Sequence, residues 1–575
     1  MTAREYLTKA GTIRTSQLLW NYGPGALIDL PNWSAITMGL HHRIAQGVDG
    51  WDMAYAEPIE EPRLLHAVRR RLGRQVESLR MPPFKADNDG KTRDQIPIGA
   101  PVEPFPRWVR CTRCSLLAPM DDPAIRLKPG NEKGNEIRFE HHDCYNGWPS
   151  DAIPARLVLA CRNGHLDEFP WHWYAHRGQS SCEGTLRLYS VGSAIESANL
   201  MVECSCGTKR PLAHALMGND TTTLPACRGR HPHLSSFEPC TQSPTVLSLG
   251  SSNLWFPVTL STLDIPLPDD APEQPLSQHE LKWPEWQVLT GDVPGDTWPQ
   301  FRLVPTNVPK DLTVVIDQVA RIERLREVNT LIGFTRVDAP DEDLHTMQAN
   351  DLVTLTRGNP TWVPAGEVYG EGLFIRFRES AIQDWERAVS VQQRFDTLYR
   401  GHQQWRTARN LAPGLGMPDM RYVMIHTFAH VLIRELALEC GYSAASIKER
   451  IYASSDEAEP MAGVLVYTAA NDTDGTLGGL VELGTPARLS RIIQNALQRA
   501  YVCSSDPLCA EHLPDGDGTV HLAACHACTF LAETSCERGN KYLDRSVLVP
   551  TFDGLAQVAF FPDQTARPPS TGQYR

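Results

Sequence analysis

The placement of cysteines constrains this chain more than any other feature. Of 15 cysteines, nine lie between Cys111 and Cys240, five between Cys503 and Cys536, and Cys440 stands alone in an apolar helical run. Many fall in CxxC and CxC pairs, within a chain too long to depend on disulfides for its core. A tight turn aims two thiolates at one ion and two donors from distant chain complete the tetrahedron, so the pattern predicts structural zinc. Cys440 reads as a small core hydrophobe.

In the first block, Cys111-Thr-Arg-Cys114 is answered by Cys144 and Cys161, with His165 of Cys161-Arg-Asn-Gly-His165 competing for the fourth place. Cys204-Ser-Cys206-Gly207 forms a shorter knuckle with Cys227 and Cys240 at loop distance, where a second ion is expected. Cys182 is left over, so the partition stays open to permutation. In the second block, Cys509, Cys525-His-Ala-Cys528 and Cys536 supply a full set of four thiolates. Cys503 stands in reserve there, and His512, His521 and His526 are weaker substitutes. The expectation is two to three zinc ions per chain. Each set is saturated, whereas a catalytic zinc keeps a position open for water.

Composition removes several classes. A length of 575 residues suits about three or four domains, and 41% hydrophobic with 21% charged residues excludes wholesale disorder. No stretch reaches the roughly 18 apolar residues of a membrane span. Met1–Ala10 (MTAREYLTKA) has no apolar core, so a soluble, cytoplasmic chain is expected. Lys and Arg number 55 against 68 Asp and Glu, a net charge of -13 that disfavours autonomous binding along duplex DNA. Any nucleic-acid contact is then local. Arg69, Arg70, Arg71 and Arg74, in the helical segment Leu64–Leu79, form the most basic run.

Absent motifs decide as much. There is no GxxxxGK[ST] loop, and Gly90-Lys91-Thr92 lacks the upstream glycine that would make one, so a P-loop ATPase is excluded. No GxSxG elbow, HExxH helix or kinase set occurs. His426-Thr-Phe-Ala-His430 does place two imidazoles on one helix face, but Thr427 stands where a zinc protease has its glutamate. With Arg434 these histidines read as a hydrogen-bonded stripe beside the apolar face of Tyr422–Leu438. The glycine loops Tyr22-Gly-Pro-Gly and Asp474–Gly479 read as turns, and Arg488, Arg491 and Arg499 as a solvated helix face. The aromatic run Phe169–Tyr174 reads as the core of a small zinc module.

The predicted fold class is α+β, multi-domain, with several structural zinc-binding modules. Residues 1–105 form an α/β unit with the basic helix, 106–250 a zinc module with one to two sites, and 251–414 a middle α/β unit. The middle unit holds an irregular Pro-rich connection (Pro266–Pro299), a long helix (Leu312–Leu331) and a strand (Gly372–Arg378). Residues 415–575 hold the histidine helix, a strand (Val464–Tyr467), a helix (Leu489–Ala500) and the last zinc site.

Several segments carry a resemblance that spans nearly the whole chain: Arg14-Thr-Ser-Gln-Leu-Leu-Trp-Asn-Tyr-Gly-Pro-Gly-Ala, Ala160-Cys-Arg-Asn-Gly-His-Leu-Asp-Glu-Phe-Pro-Trp171, Arg324-Leu-Arg-Glu-Val with Gly333-Phe-Thr-Arg336, Gly370-Glu-Gly-Leu-Phe-Ile and His426-Thr-Phe-Ala-His. Together they resemble DrmB, a core component of bacterial DISARM anti-phage systems. The region from 415 to 545 is also similar to a cysteine-containing domain that follows the motor in several helicases. The resemblance implies a non-catalytic subunit, with no catalytic residues of its own, that pairs with DrmA, a helicase-related ATPase, and meets foreign DNA through that complex rather than any membrane. Two alternatives compete with it. One is a metal-dependent nuclease or hydrolase built on His426, His430 and the Asp472–Gly479 loop; the other is a scaffold that never touches DNA.

Overall fold

The computed structural model describes residues 13–14, 16–30, 32–43, 50–84, 99–128, 137–191, 199–216, 224–266, 278–291, 298–340, 352–409, 411–468, 479–514, 518–532, 534–551 and 557–561. Contacts divide the chain into two compact units that interleave in sequence. The first takes residues up to Leu260, Asn329–Pro340 and a segment ending at Gly366; the second takes Ser261–Val328 and the chain from Glu367 onward.

Short strands joined by tight turns build the first unit. Its main sheet is antiparallel, in the order Lys209–Pro211, Leu200–Cys204, Leu186–Ser190, Leu116–Pro119, Trp108–Cys111, Trp148–Pro154, Arg138–Tyr145, Ile125–Lys128. Asn146-Gly147, both with positive φ (49° and 79°), closes the hairpin between the strands ending at Tyr145 and starting at Trp148, a turn that matches the twist of paired strands. Val109 faces Ala118 and Ala152 faces Cys111, a register that carries a row of apolar side chains into one small core. Phe169, Trp171 and Tyr174 are buried in another core, beside Leu186, Leu188 and Val202, as the reading of that aromatic run expects.

The Tyr22-Gly-Pro-Gly turn shows why its glycines are there. Gly25 (φ 85°) and Gly164 (φ 77°) present carbonyls to the buried guanidinium of Arg336, which donates to Gly25 O at 2.7 Å, to Gly164 O at 3.0 Å and to Leu254 O. Burial lowers the pKa of that guanidinium to about 9. The basic helix runs over Pro62–Leu72, with proline in its first turn and Gly73 (φ 106°) at its end. It buries Leu64, Ala67 and Val68 and leaves Arg70, Arg71 and Arg74 exposed. The helix expected as far as Leu79 therefore stops early, and Ser78–Arg80 is a strand paired in parallel with Trp362–Pro364.

Two further expectations are corrected. Leu312–Leu331 is not a helix: Ile316–Thr335 is a 20-residue strand, paired antiparallel to Arg302–Thr306. Leu312, Val315, Ile316 and Val319 imitate helical spacing, but the segment is rich in β-branched residues and is covered on both faces, so apolar side chains of both parities are buried. The Pro266–Pro299 stretch is not wholly irregular either, since Gln278–Thr290 is a helix that includes Pro284 and buries Leu281, Trp286, Val288 and Leu289. Of the strand expected at Gly372–Arg378, all but Arg378 lies in the longer strand Trp362–Phe377. From Gly372 to Arg376 it pairs antiparallel with Met461–Thr468, which pairs in turn with Ile447–Ser454.

The helix Met420–Cys440, ended by Gly441 (φ 71°), is apolar on almost every face and lies in one continuous core with Ile447, Ile451, Val464, Val466 and the buried side of the helix Pro486–Ala500. Arg491 and Arg499 on that second helix pair with Glu439 and Glu435 of the first, at 2.9 and 3.0 Å. Arg450 and Tyr452 are buried against Glu285, with Arg450 Nε 2.6 Å and Tyr452 Oη 2.8 Å from its carboxylate. The Cys440 thiol donates to Leu436 O at 2.8 Å.

Candidate metal centres

Among the described residues, five groups of four donors stand out, and they take in every cysteine except Cys440. Three lie in the first unit. Cys111 ends its strand, Ser115 (φ 63°) closes the CxxC turn, and Cys114 joins His141 and Cys144 from Arg138–Tyr145, two strands across the sheet. Cys111 Sγ is 3.5 Å from Cys144 Sγ, and Cys114 Sγ is 3.4 Å from His141 Nδ1.

Cys161, His165, Cys227 and Cys240 form the second group. Gly164 lets the chain turn so that Cys161 Sγ lies 3.2 Å from His165 Nδ1, with Cys227 Sγ at 3.6 Å and Cys240 Sγ at 4.0 Å. His165 Nε2 meets Glu238 at 2.8 Å, the outer contact that fixes a ligating imidazole. The third group is His176, Cys182, Cys204 and Cys206. Cys182 and Cys204 sulfurs are 3.7 Å apart, Cys206 Sγ is 3.4 Å from His176 Nε2, and Gly207 (φ 97°) turns the knuckle.

In the second unit Cys503, Cys509, Cys525 and Cys528 converge, with sulfur separations of 3.5 Å (Cys503–Cys525), 3.6 Å (Cys509–Cys528) and 3.7 Å (Cys525–Cys528). Zinc–sulfur bonds of about 2.3 Å place two tetrahedral thiolates about 3.8 Å apart, close to what these turns provide. Buried Arg545 donates to Ala500 O at 3.1 Å and pairs with Asp506, which puts a cation beside Cys509 and Cys528. The fifth group is His426, His430, Glu449 and Cys536. His430 Nδ1 donates to Thr529 O at 2.9 Å and Arg434 to Ala527 O at 2.9 Å, the hydrogen-bonded stripe expected of that helix.

Close sulfur contacts and burial shift the thiol pKa values in both directions. The S–H of Cys509 lowers the Cys528 pKa to about 5, and Cys509 itself is driven far above the thiol range by that contact and by burial. Hydrogen bonds from Thr208 lower Cys206 to about 6, with His176 adding to the effect. Burial raises Cys114 to about 11, and Cys227 rises to about 12 through the Cys161 contact and burial. Sulfurs this close ionise together only beside a cation.

The grouping differs from the sequence partition in definite ways. Cys111, Cys114 and Cys144 do meet, but Cys161 leaves them for His165, Cys227 and Cys240, and His141 takes the fourth place. Cys204 and Cys206 are joined by Cys182 and His176 instead of by Cys227 and Cys240. Cys509, Cys525 and Cys528 meet as expected, with Cys503 in the place given to Cys536. Preference for thiolates hid His141 and His176. The run His141-His-Asp-Cys144 has the two-residue gap of a CxxC pair and was the available signal.

The fold and its donor groups define a multi-module α+β protein built around metal-binding modules of the zinc type. Residues 14–256 match a domain of unknown function, DUF8724, and residues 428–529 match the MrfA Zn-binding domain. The chain is 32% identical over 527 residues to the DISARM protein DrmB of Bacillus paralicheniformis (strain ATCC 9945a / NCIMB 11709 / CD-2), covering 79% of this chain and 89% of that protein. It belongs to the DrmB family of DISARM proteins. A solved structure, the DUF1998 helicase MrfA bound to DNA, is similar at 9% identity and a TM-score of 0.22, covering 48% of this chain and 24% of that one. No helix among the described residues is long and apolar enough to cross a membrane.

Proposed function

We propose that this chain is a non-catalytic subunit of a DISARM anti-phage complex, kept in shape by structural zinc, which pairs with a helicase-like ATPase of the DrmA type and engages foreign DNA in the cytoplasm as part of that pair. One observation carries the reading: a DrmB-family chain contains a zinc-binding domain named for MrfA, a protein described as a helicase, yet has no phosphate-binding GxxxxGK[ST] loop. A motor-associated module without a motor works with one from another polypeptide. The ligand sets proposed for zinc are the four thiolate-rich groups, and each fills a tetrahedron without a place for water. The net charge of -13 leaves the DNA grip to the pair, with exposed Arg70, Arg71 and Arg74 as this chain's local patch.

The hydrolase alternative finds no support at His426 and His430, which are fully buried where a substrate does not reach. Most of its other half, the Asp472–Gly479 loop, lies outside the described residues. The test is co-expression with a DrmA-type ATPase from the same organism, followed by DNA-binding and ATPase assays with and without this chain. The expected result is a stable complex that binds DNA more tightly than either protein, while the isolated chain neither hydrolyses ATP nor cuts DNA. Charge reversal of Arg70 and Arg71 should weaken the binding and flatten its salt dependence. Failure of the two proteins to co-purify would remove the partner. A complex whose DNA affinity matches the ATPase alone would make this chain a scaffold.

A further inference from the structure

The second unit brings together four donors that no thiolate motif announces. His426 and His430 stand one turn apart on the helix Met420–Cys440, Glu449 projects from the strand Ile447–Ser454, and Cys536 comes from the loop beyond Cys528. His426 Nε2 is 3.1 Å from Glu449 Oε1 and 3.2 Å from Cys536 Sγ, and His430 Nε2 is 3.5 Å from the same carboxylate oxygen. The side chains of His426, His430 and Glu449 are completely shielded from solvent.

Hydrogen bonding alone does not account for this arrangement. His430 Nδ1 donates to Thr529 O, while its buried Nε2 faces the Glu449 carboxylate at 3.5 Å and has no hydrogen-bond partner. The second carboxylate oxygen, Glu449 Oε2, is likewise buried and unpartnered. Around the rim the backbone acts as it does for bound ligands: Glu537 N–H donates to Glu449 Oε1 at 3.0 Å, and the N–H groups of Arg538 and Asn540 both point at Cys536 Sγ at 3.3 Å.

A tetrahedral zinc would give His430 Nε2 the partner it lacks and bring the four donors onto one ion. Bonds of about 2.0 Å to nitrogen and oxygen and about 2.3 Å to sulfur set ligand separations of about 3.3 Å between N and O and about 3.5 Å between N and S. The separations in the structure, 3.1 and 3.5 Å from nitrogen to oxygen and 3.2 Å from nitrogen to sulfur, lie within about 0.3 Å of those values. Charge fits as well. One carboxylate and one thiolate neutralise a dication, so the loaded complex is neutral and suits a buried site, whereas the four-thiolate group is doubly negative when loaded and lies beside Arg545. Mixed nitrogen, oxygen and sulfur donors with no vacant position favour zinc over other first-row metals.

We propose that His426 Nε2, His430 Nε2, a Glu449 carboxylate oxygen and Cys536 Sγ bind a structural Zn2+ that clamps the central helix, the strand Ile447–Ser454 and the loop after Cys528. Cys536 gives up its thiol proton to solvent as the metal–sulfur bond forms; the neutral imidazoles and the carboxylate release none. His426 and Cys536 both lie outside residues 428–529, the extent of the zinc-binding domain match. The proposal stands independently of the partner reading.

Native mass spectrometry of the full chain, isolated without chelator, compares wild type with Cys536→Ala and His430→Ala. Each variant should carry one zinc fewer than wild type, with zinc still bound at the thiolate groups. If the variants do not fold, the wild type decides. Cys536 is only partly buried, and its alkylation by N-ethylmaleimide should be blocked until a chelator removes zinc. Unchanged zinc content in folded variants, alkylation of Cys536 that ignores the metal, or a different metal at this position in the isolated protein would overturn the proposal.

Discussion

In the first unit the buried apolar side chains fall into several small clusters, one around Phe169, Trp171 and Tyr174 and another around Val109, Ala118 and Phe139. In the second, a large cluster extends from Leu312 to Phe561 around the helix Met420–Cys440, beside a smaller one around Trp286, Phe374 and Tyr452. The donor groups follow the same division. Those of the first unit sit where short strands turn. The second unit already has a core of the size that stabilises a domain without metal. Small cores are commonly supplemented by metal or disulfide links, so the contrast predicts that metal is indispensable in the first unit and a local clamp in the second.

The largest expected effect comes from breaking a link in the first unit. Structural zinc sites contribute on the order of 10–16 kcal/mol, comparable to or larger than a domain's typical stability of about 5–15 kcal/mol. Cys161→Ser with Cys227→Ser should therefore abolish the first unit's thermal transition and leave the second unit's in place. Differential scanning calorimetry with limited proteolysis checks this, and loss of both transitions would erase the contrast.

Next comes the ion pair buried in the second unit. Arg450→Met strands Glu285, whose carboxylate otherwise accepts from Arg450 and Tyr452. Removing one partner of such a pair costs about 3–5 kcal/mol. Urea denaturation should show that loss in the second unit, with much of it recovered when Glu285→Gln is added.

The smallest effect sharpens the account of the first unit through pH. Burial raises the pKa of Glu168 from 4.5 to about 7, so the folded state holds its proton more tightly than the unfolded chain. Stability is then lost as pH rises from 4.5 toward 7, and the full penalty applies above that. Glu168→Gln should stabilise the first unit, with a gain about 1 kcal/mol larger at pH 8 than at pH 6. A gain independent of pH would place the cause in packing instead.

The local turns were legible in sequence, and their partners were not. Cys111 with Cys114 and Cys525 with Cys528 share groups because a CxxC turn needs only its own four residues. His141 reaches Cys114 because the strand Arg138–Tyr145 pairs with Trp148–Pro154, which pairs with Trp108–Cys111, and that register is a long-range result. The strand Ile316–Thr335 was misread because burial on both faces erased its period of two; its β-branched content was the better guide. His426 and His430 were rightly placed on one helix face. Glu449, which completes their surroundings, comes from another strand and carries no motif of its own.

Hydrogen–deuterium exchange on the whole reduced chain, before and after zinc is stripped by a chelator, tests most directly whether metal holds the first unit together. Stripping should expose the amides of Trp108–Cys111, Leu157–Ala160 and Leu200–Cys204, while Met461–Thr468 and most of the helix Met420–Cys440 stay protected and loosening in the second unit is confined to the loops around Cys503–Cys536. Protection retained in the first unit without metal, or lost from both units together, would contradict the account.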